Sequence, residues 1–393
     1  MVKVRSKKGK RMAKEMKGKI YKAKAYTNEI IRGKFSAIKD TRIKGMVEHP
    51  LVDMLIIIML GVVCGIERSE EIVIYAKNKR LFLRQVFGVE KIPLKSTLER
   101  VLDMVDGEAM SMVIIDIMKS KILRLGDIIS VDGKSIRSTV PKGKTNATLQ
   151  ILSAYFTESR VVVGQKYMSE KTSEIPMFQD LLCVLKVKGK TVTADATHCQ
   201  KDTCRMIIAK GGNYVFGLKG NQGKFHKDIE AFFANPANAD RMERFEAPVE
   251  KRNGRTTRRI FSRVDDITQF PSCGAWMGLK SIFAVRRIVE TRYETTDETC
   301  YYISSLDSSP ETLLNIVRSH WQIESMHWML DVVFSEDEYV NSSDNAHKTL
   351  NILRKFALLL HKTYIRAHNL KISIKSSMFS CLTNDDLICD ICS

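Results

Sequence analysis

No stretch of this 393-residue chain is apolar for long enough to cross a bilayer as a helix. The most apolar run, Met54 to Ile66, has 13 residues between Asp53 and Glu67, short of the roughly 20 that a spanning helix needs, and it reads as a helix buried in protein. The N-terminus does not resemble a secretory signal, because a long and mostly polar stretch separates its basic residues from that run. No membrane association is expected, and a cytoplasmic location follows. The nine cysteines form no disulfide framework, which suits a reducing compartment. Cys389-Asp-Ile-Cys392 is a lone C-x-x-C without a second pair at zinc spacing, and Cys199 and Cys204 beside His198 are a loose cluster. Both read as helix-face thiols rather than as tetrahedral metal sites. A P-loop is missing too: Asp132-Gly133-Lys134-Ser135 imitates its end, but the glycine required five residues before Gly133 is Ile128.

Acidic charge is scarce where basic charge is dense. The formal net charge is +18, and residues 1–45 hold 16 Lys and Arg against only Glu15, Glu29 and Asp40. That arm reads as disordered when free, either contacting phosphates or forming a solvated basic extension. A balance this basic favours a polyanionic partner, and the natural one is nucleic acid.

Against that background three acids stand out. Asp132 sits in the strand-like run Asp127-Ile-Ile-Ser-Val-Asp132, Asp195 ends a second such run from Lys190, and Glu324 lies on the helical stretch His320 to Asp331. Two carboxylates at strand ends and one on a later helix can converge, and they would repel one another unless divalent cations neutralised them. Such a cluster suits two-metal phosphoryl transfer.

The organisation places these residues. After the arm, residues 46–125 read as a small helical domain, either a DNA-contacting element or a packing bundle. From 126 to 222 the order is three β-rich runs, a helix from near Ser173 to Leu185, a strand ending at Asp195, a helix from about Lys201 to Lys210, and a strand over Asn213 to Leu218. That is the order of the ribonuclease H-like fold. Residues 223–310 read as a β-rich insertion with an Asn253-Gly254 turn, and 311–393 as the final core helix followed by C-terminal helices. The expected class is therefore α/β, a ribonuclease H-like core with a β-rich insertion behind a helical N-terminal domain.

On the helix bearing Glu324, steps of three and four residues align Val317, His320, Trp321, Glu324, His327, Trp328 and Asp331 on one face. Buried ionisable groups need partners, so a purely structural stripe has little reason to hold this mixture. His320, His327 and Asp331 read as supporting contacts, and Trp321 and Trp328 as core or as platforms for an unpaired base. Gly133 is expected to let the chain turn just after Asp132, with Lys134 and Arg137 near phosphate. Lys171-Thr-Ser-Glu174 and Leu218-Lys219-Gly-Asn-Gln222 read as caps and turns; Lys219 is kept as a candidate DNA contact.

Taken together, these residues resemble the DDE transposases of bacterial insertion sequences, in particular the ISAs-type or H-repeat-associated group. The resemblance rests on Val-Asp132-Gly-Lys, Gly164-Gln165, Thr-Ala-Asp195-Ala with Cys199-Gln200, Leu218-Lys with Asn221-Gln222, and His320-Trp-x-Ile-Glu324 with His327-Trp-x-Leu-Asp331, in order over roughly residues 46–390. It implies that Asp132, Asp195 and Glu324 are the catalytic triad and ligate two Mg²⁺ ions, with Mn²⁺ able to substitute. It further implies cleavage at element ends, the terminal inverted repeats, and joining to target DNA, with a homodimer in the synaptic complex and the bacterial nucleoid as the place of action. Where related transposases carry a Tyr-Arg-Glu-Lys signature, this chain has Val317, His320, Glu324 and Asp331. A catalytically inactive, transposase-derived DNA-binding protein remains the alternative, and a stand-alone nuclease a third.

Overall fold

A computed structural model describes residues 28–139, 149–168, 173–252, 254–338 and 343–392. The first 27 residues of the basic arm, Lys171 and Thr172, and Asn253 of the expected turn lie outside them. In chain order, helix α1 occupies residues 28–35. It is followed by α2 (Leu51–Val63), α3 (Ser69–Asn78), α4 (Arg80–Phe87), α5 (Lys95–Met104) and α6 (Gly107–Ser120). Next come β1 (Ile128–Ile136), β2 (Leu149–Phe156), β3 (Val161–Met168), α7 (Glu174–Val184), β4 (Thr191–Ala194), α8 (Lys201–Ala209), β5 (Asn213–Leu218) and α9 (Lys224–Ala234). Strands β6 (Glu243–Glu246), β7 (Glu250–Arg252), β8 (Arg255–Val264), β9 (Ser281–Glu290) and β10 (Thr295–Ser304) precede α10 (Pro310–Phe334), α11 (Asp344–Ala367), α12 (Ile374–Thr383) and α13 (Asp385–Cys392). No helix among the described residues is long and apolar enough to cross a membrane.

The chain divides into two compact units. The first takes in Met1–Lys121, Ile136–Thr148 and Met329–Ser393, and the second Ile122–Ser135 and Leu149–Trp328. In the first, the apolar run becomes α2, and all but one of its residues are buried, as an unbroken hydrophobic surface requires. Gly61 lets α3 approach it closely, since a Cβ there would meet Ile72 Cγ1 at 2.8 Å. The long helix α11 packs against α2, α5, α6, α12 and α13. It buries Arg354 completely, with Nη2 2.6 Å from Glu67 Oε2 and Nη1 3.4 Å from Glu336 Oε1. The C-x-x-C pair lies in α13, and both thiols are buried. Cys199 and Cys204, in the second unit, are buried as well.

In the second unit the sheet runs β3-β2-β1-β4-β5-β10-β9-β8-β6, with β7 paired to β8. Its first five strands have the ribonuclease H-like order, with β2 antiparallel to β3 and β4 parallel to both β1 and β5. The segment read as an insertion continues this same sheet. β10 runs antiparallel to β5 from Tyr301 opposite Leu218 to Ser304 opposite Val215, which gives β5 a partner on its otherwise open edge. Gly254, at φ +73°, opens the turn into β8.

Gly133 differs from its sequence expectation. It lies inside β1 and not at a turn, because the strand continues through Asp132 to Ile136. Its lack of a side chain serves a close approach, since a Cβ there would come within 2.2 Å of Glu174 Oε1.

Candidate active site

The site is built where the parallel pairing of β1 with β4 ends. In the β1–β4 ladder Ser130 is opposite Thr193 and Val131 is opposite Ala194. Asp132 and Asp195 follow one step later on each strand. With neighbouring strands about 4.8 Å apart, and equal register placing side chains on one face, the two carboxylates spring from adjacent backbone positions. The carboxyl ends of parallel strands are the usual location of sites in open α/β sheets.

Helix α10 supplies the third acid, and its position has two causes. The first is apolar: Leu313, Leu314, Ile316 and Val317 pack with Val215 of β5, Phe261 of β8, and Phe283 and Val285 of β9. Each such side chain, fully buried, contributes about 1.5–3 kcal/mol. The second is polar and directional. His320 Nδ1 lies 3.0 Å from Thr193 Oγ1, which itself lies 2.9 Å from Ser130 Oγ. Ser130 and Thr193 sit two residues before Asp132 and Asp195, on the same face of their strands. The helix is thus fixed directly over the acid-bearing face. Four residues on, a rise of about 6 Å, comes Glu324, and His327 Nδ1 stands 3.2 Å from Asp132 Oδ2.

The electrostatics follow from this crowding. Burial, then the negative charges of Asp132 and Asp195, push the Glu324 carboxyl above its ordinary range. Burial pushes Asp132 the same way, but the His327 hydrogen bond, the charges of His327 and His320, and the Gly133 backbone outweigh it and hold that carboxyl low. A fourth acid, Glu174 at the start of α7, is raised by burial and by Asp195 and Asp132, against a lowering by His198.

Asp195 and Glu324 line a cleft of about 720 Å³, with Lys219, Arg287, Trp321 and Trp328 on its walls. Trp321 is flanked by guanidinium groups, Arg287 at 5.3 Å and Arg259 at 5.8 Å from its ring. Trp328 is 59% exposed. The helical stripe therefore divides: Val317 and His327 are buried, while Trp321, Glu324 and Trp328 face open space.

The other expected residues are less concentrated. Lys134 lies half-buried in β1. Arg137 belongs to the first unit, where its backbone N–H donates to Asp337 Oδ1 at 3.0 Å, and Asp331 also falls in that unit. From the sequence, Glu174 is expected only as part of a cap and His198 only as part of a thiol cluster. His198 is buried, with Nε2 3.8 Å from Asp195 Oδ1 and its ring 4.7 Å from that of Phe178. Asn221 Nδ2 donates to Ala196 O at 2.8 Å and Gln222 Nε2 to Cys199 O at 2.7 Å, so this polar pair braces the turn after Asp195. Thr193 could have been found from its i−2 spacing to Asp195.

Three carboxylates form a hard-oxygen donor set of the kind that Mg²⁺ and Mn²⁺ prefer, and their mutual repulsion is of the sign that a cation relieves. Among the described residues, no three His, Cys, Asp or Glu side chains are drawn close enough together to hold an ion as they stand. The Asp132 carboxylate lies against His327 instead. The donor chemistry fits divalent cations, and binding them requires the side chains to gather.

Comparison with known proteins finds relatives of one kind. Residues 124–360 match the family described as Transposase DDE domain, and residues 33–118 the one described as DDE_Tnp_1-associated. The chain is 32% identical over 333 residues to the H repeat-associated putative transposase YhhI of Escherichia coli K12, covering 82% of this chain and 88% of that one. It is also 32% identical over 333 residues to the putative transposase YncI of Escherichia coli O157:H7, covering 83% and 85%. A solved piggyBac transposase synaptic complex with hairpin DNA aligns with a TM-score of 0.42 at 11% identity, over 94% of this chain and 80% of that one. The fold assignment rests on the strand order instead.

Proposed function

Because this chain belongs to the Transposase DDE domain family, we propose that it cleaves DNA at the ends of an insertion sequence and joins the 3′ ends to target DNA. The observation that carries this reading is the placement of Asp132 and Asp195 one step beyond the last β1–β4 register pair, under the helix that presents Glu324.

Asp132, Asp195 and Glu324 are the residues that would hold two divalent cations, Mg²⁺ or Mn²⁺. When bound, such ions supply Lewis-acid activation of a water or 3′-hydroxyl nucleophile and stabilise the leaving oxygen. The chain's own residues prepare the site for this. His327 orients the Asp132 carboxylate through its hydrogen bond, and Thr193 fixes His320 and with it the turn of α10 that carries Glu324. Lys219 and Arg287 place positive charge in the cleft, where a phosphate would bind, and Trp321 and Trp328 offer apolar faces to sugars or bases. The partners are then the element's terminal inverted repeats and target DNA. Synapsis of two ends calls for a homodimer.

The test is incubation of the purified chain with a supercoiled plasmid carrying the element's own ends, with Mg²⁺ or EDTA, beside Glu324→Gln. The reading requires Mg²⁺-dependent nicks at the end boundaries that the variant does not make. Binding without cleavage by the wild-type chain would overturn it in favour of an inactive DNA-binding descendant.

A further inference from the structure

The helical unit holds a concavity of its own, of about 910 Å³, and its walls are strongly basic. Five Lys and Arg side chains line it, Arg42, Lys77, Arg80, Lys91 and Arg100, against Glu48 as the lining carboxylate. Two of the five have acidic partners: Arg42 meets Asp40 at 2.6 Å and Lys91 meets Glu48 at 3.2 Å. Arg100 folds back on its own helix, donating to Ser96 O at 3.2 Å and to Thr97 Oγ1 at 3.3 Å. Lys77 and Arg80 are exposed, and neither meets a carboxylate among the described residues. Among the described residues three cations around one opening, Lys77, Arg80 and Arg100, have no acidic partner, and their self-repulsion falls when a polyanion binds.

The same walls expose apolar surface. Met46 is 82% exposed and Leu94 66%, and both line the concavity. An apolar partner helix would cover that surface but leave the cations unanswered. A nucleic-acid backbone answers both, with phosphates for the cations and deoxyribose for the apolar side chains. The basic N-terminal sequence also leads here, since Arg42, near its end, is among the lining residues.

We propose that this concavity is a DNA-backbone site, in which Lys77 and Arg80 contact phosphates without reading sequence. The proposal rests on the DNA-processing function above, because it assigns the same polymer as ligand. It adds a surface within the helical unit that binds the duplex independently of Asp132, Asp195 and Glu324.

The test uses the full chain in EDTA, where binding is read without cleavage, and a fluorescein-labelled duplex bearing the element end, titrated at several salt concentrations. Lys77→Ala/Arg80→Ala is compared with Lys371→Ala/Lys375→Ala, which removes the same charge from exposed lysines of the same unit. Thermal melts confirm that both variants fold. Two lost phosphate contacts should make the slope of log affinity against log salt shallower by about 1.8, roughly 0.9 each, in the first variant only. An unchanged slope, or an equal change in the control, overturns the proposal. Specific cleavage by a variant whose slope is unchanged removes this site and leaves the function standing. A lost slope in a chain that never cleaves does the reverse.

Discussion

His327 Nδ1 stands 3.2 Å from Asp132 Oδ2, so the helix that carries Glu324 also holds the carboxylate of β1. An imidazole that orients a ligating carboxylate typically accounts for 10- to 100-fold in metal affinity or activity. His327→Ala should therefore lower the cleavage rate by about that factor and raise the Mg²⁺ concentration for half-maximal rate. A full rate at unchanged Mg²⁺ dependence would show that His327 only packs.

Thr193 is the hinge of the second contact, bonded at 2.9 Å to Ser130 and at 3.0 Å to His320. Thr193→Val keeps the shape and removes the hydroxyl, leaving both neighbours short of a partner. The expected cost is about 1–3 kcal/mol in denaturant unfolding, together with slower cleavage at unchanged DNA affinity. Thr193→Ser should recover both, and failure to recover would place the fault in packing.

Buried charge makes the first unit sensitive in a different way. Arg354 is fully buried between Glu67 and Glu336, and Asn351 Nδ2 donates to the same Glu336 Oε1 at 2.9 Å. Arg354→Met would leave two buried carboxylates without their cation, and breaking a buried pair on one side costs about 3–5 kcal/mol. Chemical denaturation would measure it, and a loss below about 1 kcal/mol, the level of a surface pair, would contradict the burial.

How much of this was legible beforehand depends on the range of each signal. Asp132 and Asp195 could be singled out because each follows a short β-branched run, and Glu324 because its helical neighbours repeat at three and four residues. Those signals are local. Glu174 was read as part of a cap because nothing in periodicity ties it to Gly133, whose missing Cβ leaves room for the Glu174 carboxylate. The same applies to Arg354 and Glu67, which are 287 positions apart, and to the burial of α11 against α2, α5 and α6. Residues 223–310 were legible as a β-rich segment. Their addition to the core sheet was not, since the edge that β10 pairs with belongs to β5.

Repulsion among the three carboxylates gives a prediction that needs no DNA. Cations that bind only the folded chain stabilise it by about 2.7 kcal/mol at a hundredfold excess over Kd. Mn²⁺ or Mg²⁺ should raise the melting temperature of the wild-type chain and leave Glu324→Gln nearly unmoved. Equal shifts in both would mean that the ions bind elsewhere.

The most direct test of the account is anomalous diffraction from crystals grown with Mn²⁺. Peaks are expected within coordination distance of carboxylate oxygens of Asp132, Asp195 and Glu324, with Asp132 still within hydrogen-bond reach of His327. Saturating Mn²⁺ with no peak at these three residues, or with peaks only at other acids, would contradict it.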